Sequence, residues 1–196
     1  MKAKSSAEKS PHSAKREQLL DTAWSLFCRN GYRAVGIDTV LAEAGVAKMT
    51  LYKHFASKED LIASAMEKNS SLVLASLEQV IEAAGPDPDQ RLMAVFDWLA
   101  GWFSQKDFSG CAFLKAVGEY NGEDDKPRQA GAAFKQAMQE RLEQLCVDAN
   151  LKSPSQLARQ LLLLMDGATL HADMYHRADY ASDARAAAQA LIAAAR

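Results

Sequence analysis

Ile37-Asp-Thr-Val-Leu-Ala-Glu-Ala-Gly45-Val-Ala-Lys-Met-Thr-Leu-Tyr-Lys-His-Phe55 is the stretch on which the reading of this chain turns. Ile37, Val40, Leu41 and Ala44 recur at helical spacing and stop at Gly45, and Leu51 and Phe55 recur four apart beyond it. The glycine allows a tight turn that a side chain would resist. Two short helices therefore meet there, with their apolar positions, Val46 included, turned toward one side. The second helix keeps Lys48, Thr50, Tyr52, Lys53 and His54 as its outward set. A helix of this size fits the major groove of B-DNA, and these side chains donate to phosphates or base edges. The same pattern also describes a helical hairpin with a solvated polar face.

The chain around this stretch is built for helices. Its 196 residues include 36 Ala and 22 Leu against 12 Val plus Ile and 4 Thr, too few β-branched residues for a sandwich, barrel or doubly wound sheet. Hydrophobic content of 48% with 24% charged residues permits a substantial core and excludes disorder as the main state. The net charge of −2 hides an asymmetry: residues 1–58 carry 10 basic and 5 acidic side chains, residues 59–196 carry 13 and 20. A basic first third on an acidic remainder suits a polyanion bound at one end. No apolar run approaches the roughly 20 residues that span a bilayer. The Lys- and Ser-rich N-terminus does not read as a secretory signal, and three scattered cysteines suit a reducing, cytoplasmic setting.

Punctuation then counts about nine helices. The first runs from Ser13 to about Asn30, and the hairpin supplies Ile37 to Ala44 and Lys48 to Phe55. Ser57 caps a fourth, with Asp60 placed as in a capping box. With no breaker before Gly85-Pro86, this helix is roughly 40 Å long, enough to belong to two domains. Asp87-Pro88 opens a fifth, Ser109-Gly110 a sixth ending near Asn121-Gly122, Lys126 a seventh running to Ala149, Ser153-Pro154 an eighth and Asp179 to Ser182 the last. The expected architecture is all-α: a flexible basic arm (1–12), a domain built around the helix-turn-helix hairpin (13–57), and a second helical domain (58–196) to which the family resemblance described next gives ligand binding and dimerisation.

Arg16-Glu-Gln-Leu-Leu-Asp-Thr-Ala-Trp-Ser-Leu-Phe27, Asn30-Gly-Tyr32 and Ala44-Gly-Val-Ala-Lys-Met-Thr-Leu-Tyr-Lys-His-Phe-Ala-Ser-Lys-Glu-Asp-Leu61 together resemble the DNA-binding domain of the TetR family of transcriptional regulators. The resemblance covers about residues 13–62 without a gap. It implies that Thr39 lies near the phosphate backbone, that Lys48, Met49, Thr50 and Lys53 lie at or near base edges, and that Tyr52, His54 and Lys58 contact the backbone. Two departures matter. Ala47 stands where the family usually has Ser, so the third helix is expected to lack a side-chain cap. Val35-Gly36 replaces the usual Thr-Ser, which weakens the cap of the second helix and one phosphate contact.

The resemblance further implies a homodimeric repressor that binds a palindromic double-stranded DNA operator and is released by a small-molecule effector. Leu161 to Met165 are apolar on every side, so a single buried stripe does not account for them. Leu161, Leu162, Leu164 and Ala168, with Ala188 and Leu191 of the small-residue last helix, are the expected dimer surface. The expected effector pocket holds Trp98, Trp102, Phe103, Cys111, Phe113, Glu119 and His171, although ordinary core packing explains any one aromatic residue as well. Cys111 follows Gly110 at a helix start, where the dipole can lower a thiol pKa, so a thiol-reactive sensor on the same fold is an alternative, as is an activator. Phosphate-binding, dinucleotide, zinc-protease, Cys-x-x-Cys and nucleophile-elbow motifs are all missing, so neither an enzyme, a metal site nor a cofactor is expected.

Overall fold

The computed structural model describes residues 11–196, with side chains from residue 14 onward; the arm proposed over 1–12 lies almost wholly outside them. Among the described residues there are nine helices and no strand: α1 (Pro11–Asn30), α2 (Ile37–Ala44), α3 (Lys48–His54), α4 (Lys58–Ala83), α5 (Pro88–Phe103), α6 (Ala112–Glu119), α7 (Lys126–Asp148), α8 (Pro154–Tyr175) and α9 (Tyr180–Ala194).

α1, α2 and α3 close around one apolar centre. Leu19, Leu20, Ala23 and Phe27 of α1 meet Val40, Leu41 and Ala44 of α2, and Leu51 and Phe55 seal the far side. Burying a side chain such as Phe27 or Leu51 contributes about 1.5–3 kcal/mol each. Gly45 ends α2 at φ 60°, ψ 34°, the left-handed conformation that lets the chain turn into α3 without strain. The Gln18 side-chain amide donates to the Ala44 carbonyl (2.9 Å), fixing the same corner from α1.

Ser57 starts α4 by accepting from the Asp60 amide (3.1 Å). The Asp60 carboxylate is bound by Lys126 and held below its ordinary pKa, chiefly by that ammonium and further by the Ala56 and Ser57 amides. At 26 residues α4 is about 39 Å long. One end packs on α1 and the rest on α5 and α7. α7 and α8 form the middle of the larger bundle, with α9 laid across α8 and α5. α6 presses against α7 so closely that a Cβ on Gly131 would sit 2.8 Å from the Phe113 carbonyl oxygen. No helix among the described residues is long and apolar enough to cross a membrane.

The sixth helix starts later and ends sooner than its punctuation suggests. Gly110 adopts φ 75°, so Ser109 and Gly110 stay outside and Cys111 becomes the N-cap. At the other end Tyr120 is extended, its carbonyl accepting from Arg128 (3.3 Å), which stops α6 at Glu119.

Candidate nucleic-acid interface and cavity

α3 presents two faces of opposite character. Leu51 is buried, while Lys48, Met49 (72% exposed), Tyr52 and Lys53 stand out in solvent, with Thr50 and His54 half-buried between them. Thr39 is exposed on α2, and Lys58 is half-buried in the first turn of α4. Burial lowers the Lys58 ammonium below its ordinary pKa, which a phosphate alongside would reverse. The Lys48 ammonium lies 3.3 Å from Asp38, an exposed pair of little net strength. Neither Gly36 nor Ala47 makes a side-chain cap, so the first-turn amides of α2 and α3 have no side-chain acceptor, and the Thr50 amide turns to the Ala47 carbonyl (2.8 Å).

The second feature is a cavity of about 970 Å³ walled by α1, α4, α5, α7, α8 and the start of α6. Trp98 and Trp102 stack at 5.9 Å and 29° on one wall, and Phe113 stacks on Phe134 at 3.8 Å and 18° on another. Of the residues expected in a pocket, Trp98, Trp102, Cys111 and Phe113 line this cavity. Phe103, Glu119 and His171 do not. Phe103 is buried and packs against Phe108 at 5.0 Å with the rings tilted by 47°. His171 is exposed and stacks with Tyr175 and Tyr180 on the outside of the bundle.

Glu119 has a structural job of its own. Its carboxylate accepts from the Tyr32 amide (3.0 Å) and the Arg33 amide (2.7 Å), just beyond the C-terminus of α1. At the other end of α6, the Tyr32 hydroxyl donates to the Ala112 carbonyl (3.1 Å). The Ser109 hydroxyl and the Lys115 ammonium both donate to the Cys28 carbonyl in the last turn of α1 (3.2 Å each). α6 and its N-terminal approach thus touch the cavity through Cys111 to Phe113 and grip the α1–α3 unit along their length.

The cavity also contains groups that the sequence reading did not single out. Trp24 and Cys28 enter it from α1, and Lys135 and Asp166 form an ion pair across α7 and α8 (2.5 Å). Trp24 carried one signal, an indole lying off the buried stripe of α1. Asp166 was legible only as one of several carboxylates that could enter a cavity, and Lys135, 31 residues away, carried no signal of the pair.

The residues expected at a dimer surface divide. Leu161 and Ala188 are fully buried within the chain, Ala168 is buried, and Leu162, Leu164 and Leu191 are half-buried. The inward row Leu157, Leu161, Met165, Ala168 and Ala172 is taken up by the neighbouring helices. The outward face of α8 instead carries Leu163, Leu170 and Met174, 72%, 56% and 56% exposed, at positions that share one side of a helix. Ala186, Ala190 and Ala193 are exposed on α9.

Residues 19–65 match the family model for bacterial regulatory proteins of the TetR family. By sequence the chain is 33% identical over 87 residues to the HTH-type transcriptional activator FasR of Mycolicibacterium smegmatis, covering 44% of this chain and 39% of that one. It is 36% identical over 78 residues to the HTH-type transcriptional repressor KstR of Mycobacterium tuberculosis, covering 40% of this chain and 35% of that one. These matches span well under half the length of the two relatives. A longer match, 26% identical over 166 residues, covers 80% of this chain and 83% of the HTH-type transcriptional repressor NemR of Escherichia coli. Among solved structures, a TetR-family transcriptional regulator from Streptomyces coelicolor is similar with a TM-score of 0.85 and 27% identity, over 93% of this chain and 96% of that one. The chain belongs to the TetR family of helix-turn-helix transcriptional regulators.

Proposed function

We propose that this regulator is a homodimeric repressor whose α3 helices bind a palindromic operator, and that a small molecule filling the cavity releases it. The observation that carries the reading is the double engagement of α6 and the loop before it. One end walls the cavity at Cys111 to Phe113, and Glu119 at the other holds the Tyr32 and Arg33 amides beside the helix-turn-helix unit. A ligand that displaces the cavity wall therefore acts on the unit carrying α3. DNA accepts one separation of two such helices, about one turn of duplex or a multiple of it, so a ligand favouring another lowers DNA affinity by its differential binding free energy.

Two further observations support the assembly. The exposed row Leu163, Leu170 and Met174 on α8, beside exposed alanines on α9, offers a self-complementary apolar face. Lys48, Lys53, Tyr52 and Thr39 are accessible together for phosphates and base edges, with Met49 and Thr50 within the same helix. Repression rather than activation is the reading favoured by a device in which ligand and DNA compete; the names of KstR and NemR accord with it, and that of FasR does not. The domain division at 57/58 belongs to the same proposal, with α4 shared between the two functions.

The test is selection of duplexes from a random pool with purified protein, followed by transcription from a promoter carrying the selected site. Binding that blocks transcription until an aromatic ligand is added is the expected result. Increased transcription on binding would overturn the repressor reading, and failure to enrich any sequence would overturn operator binding. The same assay with Cys111→Ser separates non-covalent release, which the variant keeps, from release by thiol modification, which it loses.

A further inference from the structure

We propose that the cavity takes an uncharged, planar aromatic compound bearing a hydroxyl or amide-type group that both donates and accepts a hydrogen bond, anchored on the Lys135–Asp166 pair. This rests on the reading of the cavity as the effector site and adds the chemical class of the effector. The aromatic walls set the first requirement. Trp98 and Trp102 are stacked on α5, and Phe113 and Phe134 are stacked where α6 meets α7, with Trp24 at 5.5 Å from Phe113. Rings offered to such walls gain by offset stacking as well as by burial. A volume of about 970 Å³ lies at the upper end for small-molecule sites and admits two or three fused rings.

The charges set the second requirement. Asp97 is engaged by Arg185 of α9 (2.9 Å), Arg29 by the Ser25 hydroxyl of its own helix (2.8 Å), and Asp107 sits in an exposed turn. Lys135 and Asp166 are different: their side chains are only 20% and 26% exposed, and they face the cavity beside Phe134, Met138 and Met165. Together they carry no net charge. A ligand carboxylate there gains from Lys135 and is repelled by Asp166 at almost the same distance, and an ammonium meets the reverse. Either loses its hydration with nothing net to offset it. A phenol, enol or amide suits both partners. The ammonium has N–H donors left over from its bond to Asp166 Oδ1, and Asp166 Oδ2 is open to a ligand O–H or N–H.

The protein carries its own reporter, because all three of its tryptophans, Trp24, Trp98 and Trp102, line the cavity. Titration with 2-naphthol, naphthalene-2-carboxylate and 2-naphthylmethylammonium, followed by tryptophan quenching, should show the neutral compound binding about tenfold or more tighter than either ion. Lys135→Met should move the preference to the ammonium compound, and Asp166→Asn to the carboxylate. The double variant Lys135→Met, Asp166→Leu leaves no orphan charge, so its folding does not depend on the pair, and it should bind naphthalene and naphthol alike. A charged probe preferred by the wild type, an order of preference unchanged in both single variants, or no quenching by any probe would overturn the proposal. DNA release measured in parallel keeps the two readings apart. Naphthol-selective quenching without release supports the ligand class and defeats the effector reading alone.

Discussion

Replacing Glu119 by Gln isolates one of the contacts through which the larger bundle holds the helix-turn-helix unit, the carboxylate at the end of α6. The side chain keeps its shape and volume, but one of the two acceptor oxygens becomes an NH₂ donor. Only one of the Tyr32 and Arg33 amides, now at 3.0 and 2.7 Å from the carboxylate, can keep its partner, and the other faces a donor. A hydrogen bond to a charged group contributes about 1.5–3 kcal/mol net, with the low end appropriate because the Arg33 amide is exposed. The expected cost is therefore about 1–2 kcal/mol. For a chain of this size that lowers the Tm by about 2–8 °C. The same variant loosens the link between cavity and α3, so the ratio of DNA affinities without and with a cavity ligand should shrink toward one. Thermal melts and binding titrations on one preparation read both effects. A Glu119→Gln protein that melts with the wild type and keeps the full ligand effect on DNA would refute α6 as the connecting element.

Ala47→Ser supplies the missing N-cap of α3 and should add about 1 kcal/mol, read as a rise of about 2–4 °C in Tm; an unchanged or lowered Tm would show that the α3 amides are satisfied otherwise. Leu163→Asp places a charge on a residue that is 72% exposed in one chain, so the monomer should fold normally while light scattering shows loss of the dimer; a dimer unaffected by the change would move the interface elsewhere. Burial pushes the Cys28 and Cys146 thiols up to about 11, and their folded values exceed their unfolded ones. The stability this represents is fully present below about pH 9 and is lost as pH rises toward about 11. Denaturation midpoints should fall across that window, less steeply in Cys146→Ala, and a flat profile would contradict the burial argument.

Local chemistry in the chain made the helices legible. Gly45, Ser57 and Asp87-Pro88 each end or begin a helix through a backbone preference that needs no tertiary partner, and all three act as their residue types suggest. The outward set of α3 was readable in part, since the spacing of Leu51 and Phe55 defines the buried side and leaves Lys48, Tyr52 and Lys53 exposed, whereas Thr50 and His54, also expected outward, flank that side and are half-buried. Direction within an all-apolar run was not readable. Nothing local distinguishes Leu163, which faces solvent, from Leu161, which is buried, because the choice is made by α7 and α9 packing on α8. Glu119 looked like a polar group for a ligand because its partners, Tyr32 and Arg33, are more than 80 residues away. The Lys135–Asp166 pair was hidden likewise by its placement on two different helices.

Hydroxyl-radical footprinting on a selected palindromic duplex measures most directly whether α3 is the reading element of a two-fold dimer. Two symmetric protected patches are expected, centred about one helical turn or a whole multiple of it apart, with two chains bound per duplex. Protection should fade steeply with added salt because Lys48, Lys53 and Lys58 displace counterions from phosphates. Changing Lys48 or Thr50 should alter which sequences are protected, whereas changing Tyr52 or Lys58 should weaken protection on all of them. A single unpaired patch, one chain per duplex, or no protection of any selected sequence at low salt would contradict it.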